Sequence, residues 1–176
     1  MLAATVGITG ASHGRAQATP PAATAVQRQL RIAPESPKPN FALLELGGSE
    51  RKLQEQAGRP VLVHFFATWC EPCREELASL SRLVARMPRE KLSVLAVNVA
   101  EVPVRVQRFL ETSPVNFPVL LDGDRAVTKA WGVTALPTTF VLDARLQPRL
   151  LVEGDLDWTR ADVLAALDAI SARRHE

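Results

Sequence analysis

The sequence predicts an α/β domain built on a central mixed β-sheet flanked by helices, and three observations carry that prediction. Two apolar runs, Val61 to Ala67 and Leu92 to Val99, are too continuous for one-sided strands and read as strands buried on both faces. Stretches with helical apolar spacing follow each of them, so strand and helix alternate, which implies parallel pairing. At 176 residues, 47% of them hydrophobic, the chain is long enough for one domain with a substantial core.

Residues 1–39 stand apart as a flexible N-terminal segment ahead of a domain spanning 40–176. They hold no aromatic residue but five prolines, Pro20, Pro21, Pro34, Pro37 and Pro39, a composition that buries too little to order itself. Leu2 to Ala11 is mildly apolar, and Ala16-Gln17-Ala18 has the form of a signal-peptidase site. Yet no basic stretch precedes them, and Gly7 and Gly10 interrupt the run. The segment reads either as the remnant of an export signal or as a tether.

The domain itself opens with Phe41 to Leu46, a strand ending at Gly47-Gly48. Val61 to Ala67 is the central strand. The segment from Pro72 to Met87 reads as a long helix with Leu77, Leu80, Val84 and Met87 along one face, stopped by Pro88. After the strand Leu92 to Val99, Pro103 can open a short helix carrying Val104, Val106, Phe109 and Leu110. Val119 to Leu121 precedes the turn at Asp122-Gly123, and Arg125 to Trp131 reads as helical. Thr138 to Leu142 and Leu150 to Glu153 form a strand pair close enough in sequence to be antiparallel. Asp157 can cap a final helix bearing Val163, Leu167 and Ile170.

Chemistry concentrates where the central strand becomes a helix, at Trp69-Cys70-Glu71-Pro72-Cys73, which holds the chain's only two cysteines. Residues three apart in a first helical turn bring their β-carbons within about 5–6 Å, so a disulfide can open and close with little backbone movement. With Cys70 as N-cap, Pro72 falls where its missing amide hydrogen costs nothing, and the helix dipole favours an exposed Cys70 thiolate. Glu71 works against that thiolate, which poises the pair toward reduction. A structural role fits poorly, because so short a loop removes little chain entropy. Zinc would want four ligands, and His13, His64 and His175 show no ligand spacing. A net charge of +2 gives no strong field for nucleic acid or an anionic membrane, and no run approaches the 18 apolar residues of a spanning helix.

With the dithiol at a strand end and Leu136-Pro137-Thr138-Thr139-Phe140-Val141-Leu142-Asp143 further on, residues 40–172 resemble the thioredoxin superfamily, most closely the TlpA/ResA branch of extracytoplasmic thiol-disulfide oxidoreductases, with its central insert. The resemblance implies a thioredoxin fold, with Cys70 as the catalytic nucleophile and Cys73 as the buried resolving thiol. It implies that Pro137 follows a cis peptide bond and lines a substrate groove with Trp69, Glu71, Pro72 and Leu136. Glu101 matches a carboxylate of the insert near the thiols. It could pass protons, or it could stabilise the helix begun by Pro103. His64 stands where thioredoxins have a buried Asp and related proteins often Asn; it could relay protons for Cys73 or be a neutral core histidine. Phe66 replaces the family's usual Trp.

The function so implied is a monomeric, extracytoplasmic enzyme, tethered or exported, that reduces disulfides in client proteins and is re-reduced by a membrane electron donor. Apocytochrome c maturation is a candidate pathway. No cofactor is needed, since both electrons travel in the cysteine pair. Rival readings are an oxidase or isomerase on the same scaffold and a Cu(I)-handling protein, although only Met1 and Met87 could add soft ligands.

Overall fold

The computed structural model describes residues 30–34, 36–88 and 90–172. Strand β4 (Val61–Phe66) lies at the centre, buried along its whole length. On one side it pairs in parallel with β5 (Ser93–Val99), which in turn pairs in parallel with β6 (Val119–Asp122). On the other side it runs antiparallel to β7 (Thr138–Leu142), and β7 to β8 (Pro148–Glu153). The expected antiparallel terminal pair is therefore present, in a mixed sheet. Short strands close both edges: β1 (Arg31–Ile32) on β8, and the hairpin β2 (Ala42–Glu45) and β3 (Glu50–Lys52) on β6. The full order is β1-β8-β7-β4-β5-β6-β2-β3.

Two of these strands have no counterpart in the sequence reading. Arg31 and Ile32 pair with Leu151 and Leu150 although they precede residue 40. Lys38 and Pro39 are also tied to the buried Trp131: Lys38 Nζ donates to the Trp131 carbonyl and Trp131 Nε1 donates to the Pro39 carbonyl. Strand β3 is Glu-Arg-Lys, with nothing apolar to announce it; charges suit an edge strand because they discourage further pairing. The expected signal-like features, Leu2 to Ala11 and Ala16 to Ala18, lie outside the described residues, as do His13 and His175. No helix of the described residues is long and apolar enough to cross a membrane.

Among the described residues four α-helices complete the layers: α1 (Glu71–Arg86), α2 (Pro103–Thr112), α3 (Ala126–Ala130) and α4 (Ala161–Ala172). The alternation of β4 sorts the core. Val61, Val63 and Phe65 face one cluster, where Trp131 packs against Phe41, Phe65 and Phe140 at centroid distances of 5.7, 5.6 and 5.1 Å. Leu62 and Phe66 face the other, with Cys73, Leu77, Leu80 and Leu83 of α1, Val106 and Phe109 of α2, and Val163, Leu167 and Ile170 of α4. His64, between Leu62 and Phe66, must therefore point at α1. The buried stripe of α1 includes Leu83, whereas Val84 and Met87 are only partly buried. Asp157 does not cap α4 directly; its Oδ1 accepts from the Thr159 amide and hydroxyl and closes the turn before the helix.

Candidate active site

The ends of three strands converge on one edge. Phe66 closes β4 and the chain turns at once into α1, with Cys70 in extended backbone (φ −84°, ψ 106°) as the N-cap and Pro72 in the first turn. Because Phe65 pairs with Thr138, the residue before β7, Pro137, is carried level with the end of β4. The Leu136–Pro137 peptide bond is cis. Because Phe66 pairs with Asn98, the loop Ala100-Glu101 after β5 lies on the other flank. Ligand-facing chemistry at the carboxyl ends of sheet strands is the general arrangement of open α/β folds.

Cys70 and Cys73 form a disulfide with an S–S distance of 2.00 Å and a Cα–Cα distance of 5.3 Å. Cys70 keeps only 5% of its surface and Cys73 none. The sequence reading placed the Cys70 sulfur in the open; it is mostly covered, because both sulfurs belong to the apolar cluster formed by Phe66, Leu77 and their neighbours. The asymmetry between the pair nevertheless has the expected sense. Exposed apolar side chains lie near them: of the five exposed large hydrophobic residues among the described residues, Trp69 adjoins Cys70, and Val102 and Val104 flank the start of α2. Glu71 and Pro72 are exposed, Leu136 half-buried and Pro137 buried. The Glu71 carboxylate is 3.7 Å from Arg74 Nη1, which partly offsets its charge.

Glu101 is buried and builds the loop before the dithiol. Its Oε2 accepts from the Thr68 amide (2.7 Å) and from Asn98 Nδ2 (2.7 Å), and its Oε1 accepts from the Thr68 hydroxyl (2.6 Å). The carboxylate thus holds Thr68, two residues ahead of Cys70, and it also faces the start of α2, where Arg105 Nη1 lies 3.9 Å from its Oε1. Ala100 adopts φ 61° to deliver it, a left-handed conformation that costs a non-glycine residue about 1 kcal/mol. Glu101→Gln removes the charge that strengthens these bonds and forces the Thr68 hydroxyl to turn from donor to acceptor. We expect a loss of about 1.5–3 kcal/mol, seen as a melting temperature lower by roughly 3–10 °C. An unchanged melting temperature would show that the clamp contributes nothing.

Beneath the disulfide lies a polar network that the sequence reading caught only in part. His64 is fully buried, and its Nδ1 lies 2.9 Å from Thr139 Oγ1. Thr139 Oγ1 donates to Glu76 Oε1 (3.0 Å), which also accepts from Trp158 Nε1 (2.7 Å). With the Thr139 hydroxyl proton used on Glu76, His64 Nδ1 must be the donor to Thr139, which leaves Nε2 as the bare nitrogen. His64 Nε2 and Glu76 Oε2 have no hydrogen-bond partner among the described residues. Although His64 Nδ1 and Glu76 Oε1 are 3.6 Å apart, both groups are neutral around pH 7. Burial pushes the His64 pKa down to about 3 and the Glu76 pKa up to about 8, against the hydrogen bonds from Trp158 and Thr139. Glu76 was not singled out from sequence. A signal existed: it falls three residues after Cys73, four before Leu80 and seven before Leu83, on the buried stripe of an otherwise charged segment.

Among the described residues no group of three or more His, Cys, Asp or Glu side chains could hold a metal ion. A redox-closed cysteine pair at the tip of a helix, entered from a central strand and faced by a cis-proline loop, is the site of a thioredoxin-fold thiol-disulfide oxidoreductase. Comparison with known proteins agrees. Residues 34–147 match the AhpC/TSA family model. The chain is 33% identical over 139 residues to the thiol-disulfide oxidoreductase ResA of Geobacillus thermodenitrificans, covering 79% of each. It is 38% identical over 112 residues to ResA of Bacillus subtilis, covering 64% of this chain and 63% of that one. A thiol:disulfide interchange protein of DsbE type from Chlorobium tepidum superposes with a TM-score of 0.69 at 26% identity, over 82% of this chain and 99% of that one. The chain belongs to the ResA-like thiol-disulfide oxidoreductases of the AhpC/TSA family.

Proposed function

We propose that this enzyme works outside the cytoplasm as a disulfide reductase of client proteins, with Cys70 as nucleophile and Cys73 as resolving thiol. The observation that carries the reading is the asymmetric pair at the helix tip: Cys70 alone keeps any surface, and it lies beside the exposed Trp69. In the reduced protein, the Cys70 thiolate attacks a client disulfide and expels one client thiolate, leaving a mixed disulfide. The Cys73 thiolate then attacks the Cys70 sulfur and releases the second client thiolate. The client gains two electrons and two protons, and the cysteine pair ends oxidised. A membrane electron donor returns the two electrons, and immature cytochrome c is a client of the right kind, in keeping with the ResA-like relatives.

Cys73 is fully buried and must lose its proton to act. Glu76, one helical turn along the same face of α1, is the group we assign to receive it: with a pKa of about 8 its carboxyl is mostly protonated at pH 7, and the ionised fraction, which grows toward pH 8, is the base, while His64 stays neutral and orients Thr139. Leu136 and Pro137, with Trp69, Glu71 and Pro72, border the groove in which the client lies. The Glu71 charge next to Cys70 disfavours the thiolate and so favours a reducing pair. Equilibration with glutathione tests the direction: we expect a potential below about −200 mV, and a value near about −120 mV would make the protein an oxidant.

A further inference from the structure

A cavity of about 420 Å³ opens beside the dithiol, walled by Trp69, Val99, Val133 and Leu136, with Ala100 and Arg125 also lining it. Its walls mix these apolar side chains with polar surface, Thr128 and Thr134 among it, and Arg125 is the one charged residue that lines it. The Arg125 side chain makes no ion pair or hydrogen bond among the described residues, and the neighbouring Asp124 spends its Oδ1 on the Ala126 amide. Backbone conformation marks the same place. Among the described residues three non-glycine residues have positive φ, and two of them, Ala100 at 61° and Arg125 at 63°, line this cavity. Such conformations persist where the surroundings over-determine them and gather at binding sites.

We propose that this cavity selects the client: it receives an apolar side chain close to the client's disulfide, and Arg125 pairs with a carboxylate flanking that side chain. The preferred substrates are thus disulfides set in an apolar and acidic segment. The proposal rests on the reductase reading and names its substrate class. The apolar part of the pocket supplies affinity with little direction, whereas a single unpaired cation at its edge supplies discrimination by charge.

Two disulfide-cyclised peptides, alike except that Leu-Glu or Leu-Lys flanks the cysteine, test it against the reduced protein. At low salt the Leu-Glu peptide is expected to react about three- to fivefold faster, the range of an exposed ion pair, with the preference shrinking in high salt. Arg125→Glu should invert the preference. Arg125→Asn should erase it, since asparagine tolerates the left-handed backbone. A small uncharged aromatic disulfide should react equally with all three proteins, which shows that their thiols are intact. Equal rates for the two peptides with the wild-type protein, or a preference that survives Arg125→Asn, would overturn the proposal alone. Failure to reduce any of the disulfides would sink the reductase reading and carry this proposal with it.

Discussion

Cys73→Ser is expected to accumulate a mixed disulfide through Cys70, while Cys70→Ser forms none; in both variants turnover falls by at least about 10³-fold. The argument rests on the geometry of the two sulfurs. They bond to each other at a Cα–Cα distance of 5.3 Å, yet Cys70 keeps 5% of its surface and Cys73 has none. An incoming disulfide sulfur can therefore reach only Cys70. The helix dipole acts most strongly at the N-cap, which Cys70 occupies, so the reachable sulfur is also the one whose thiolate is stabilised. Without Cys73 the client stays attached, because nothing else on the chain can attack the Cys70 sulfur: there is no third cysteine. Non-reducing electrophoresis with mass spectrometry of the trapped species reads the result and names the client. Trapping by Cys70→Ser with none by Cys73→Ser would reverse the assigned roles.

The trap depends on the loop before the helix as much as on the sulfurs. Thr68, held by Glu101, and Trp69, exposed beside it, fix where a client can approach, and the Glu101 clamp comes from the loop after β5. Adjacent parallel strands put Asn98 beside Phe66, so a carboxylate 33 residues away in sequence lands on the dithiol loop. The same register logic brings Pro137 to the opposite flank through β7. The sheet thus acts as the jig for the site, and the edge strands β1 and β3 do not enter into it.

What could be read from the sequence follows what leaves a periodic trace. Val61 to Phe66 and Ser93 to Val99 announce themselves because strands buried on both faces need apolar residues without alternation. Glu50-Arg51-Lys52 leaves no such trace, since an edge strand on a hairpin is specified by its partner β2 and the turn at Gly48. Arg31 and Ile32 are two residues whose pairing exists only once β8 is in place, and Ile32 remains exposed. In the site, the cysteines were legible by spacing, and Pro137 and Glu101 by resemblance. What Glu101 holds was not legible, because a clamp on Thr68 exists only in three dimensions. Glu76 escaped for another reason: within Arg74-Glu75-Glu76 it looks like a solvated charge, and only its phase with Leu80 and Leu83 sets it apart.

That buried acid gives the second large expectation, a stability that depends on pH in opposite directions above and below a plateau. Glu76 has an ordinary value of 4.5 and is raised to about 8 in the folded protein. The folded state therefore holds an extra proton between those values, and its stability is full below pH 4.5 and lost as pH rises toward 8. His64 behaves conversely. Lowered from 6.5 to about 3, it makes the unfolded state bind more protons in that interval, so stability rises with pH up to about 6.5 and is then constant. Where the intervals overlap, between about 4.5 and 6.5, the two slopes of about 1.4 kcal/mol per pH unit cancel. Above 6.5 only the Glu76 slope remains, and below 4.5 only that of His64. Asp143 and Asp157, both held below their ordinary 3.8, join the acid limb only below about pH 4. Glu76→Gln keeps an acceptor for Trp158 and Thr139 but cannot ionise, so it should abolish the alkaline limb and be the more stable protein at pH 9 by an amount on the order of a few kcal/mol. His64→Asn should flatten the limb between about pH 3 and 4.5 while leaving the alkaline one in place. Urea denaturation of the oxidised proteins from pH 3 to 9 measures both limbs. If Glu76→Gln still loses stability between pH 6.5 and 8 as the parent does, Glu76 is already ionised in the folded protein at neutral pH, and the alkaline limb belongs to another group.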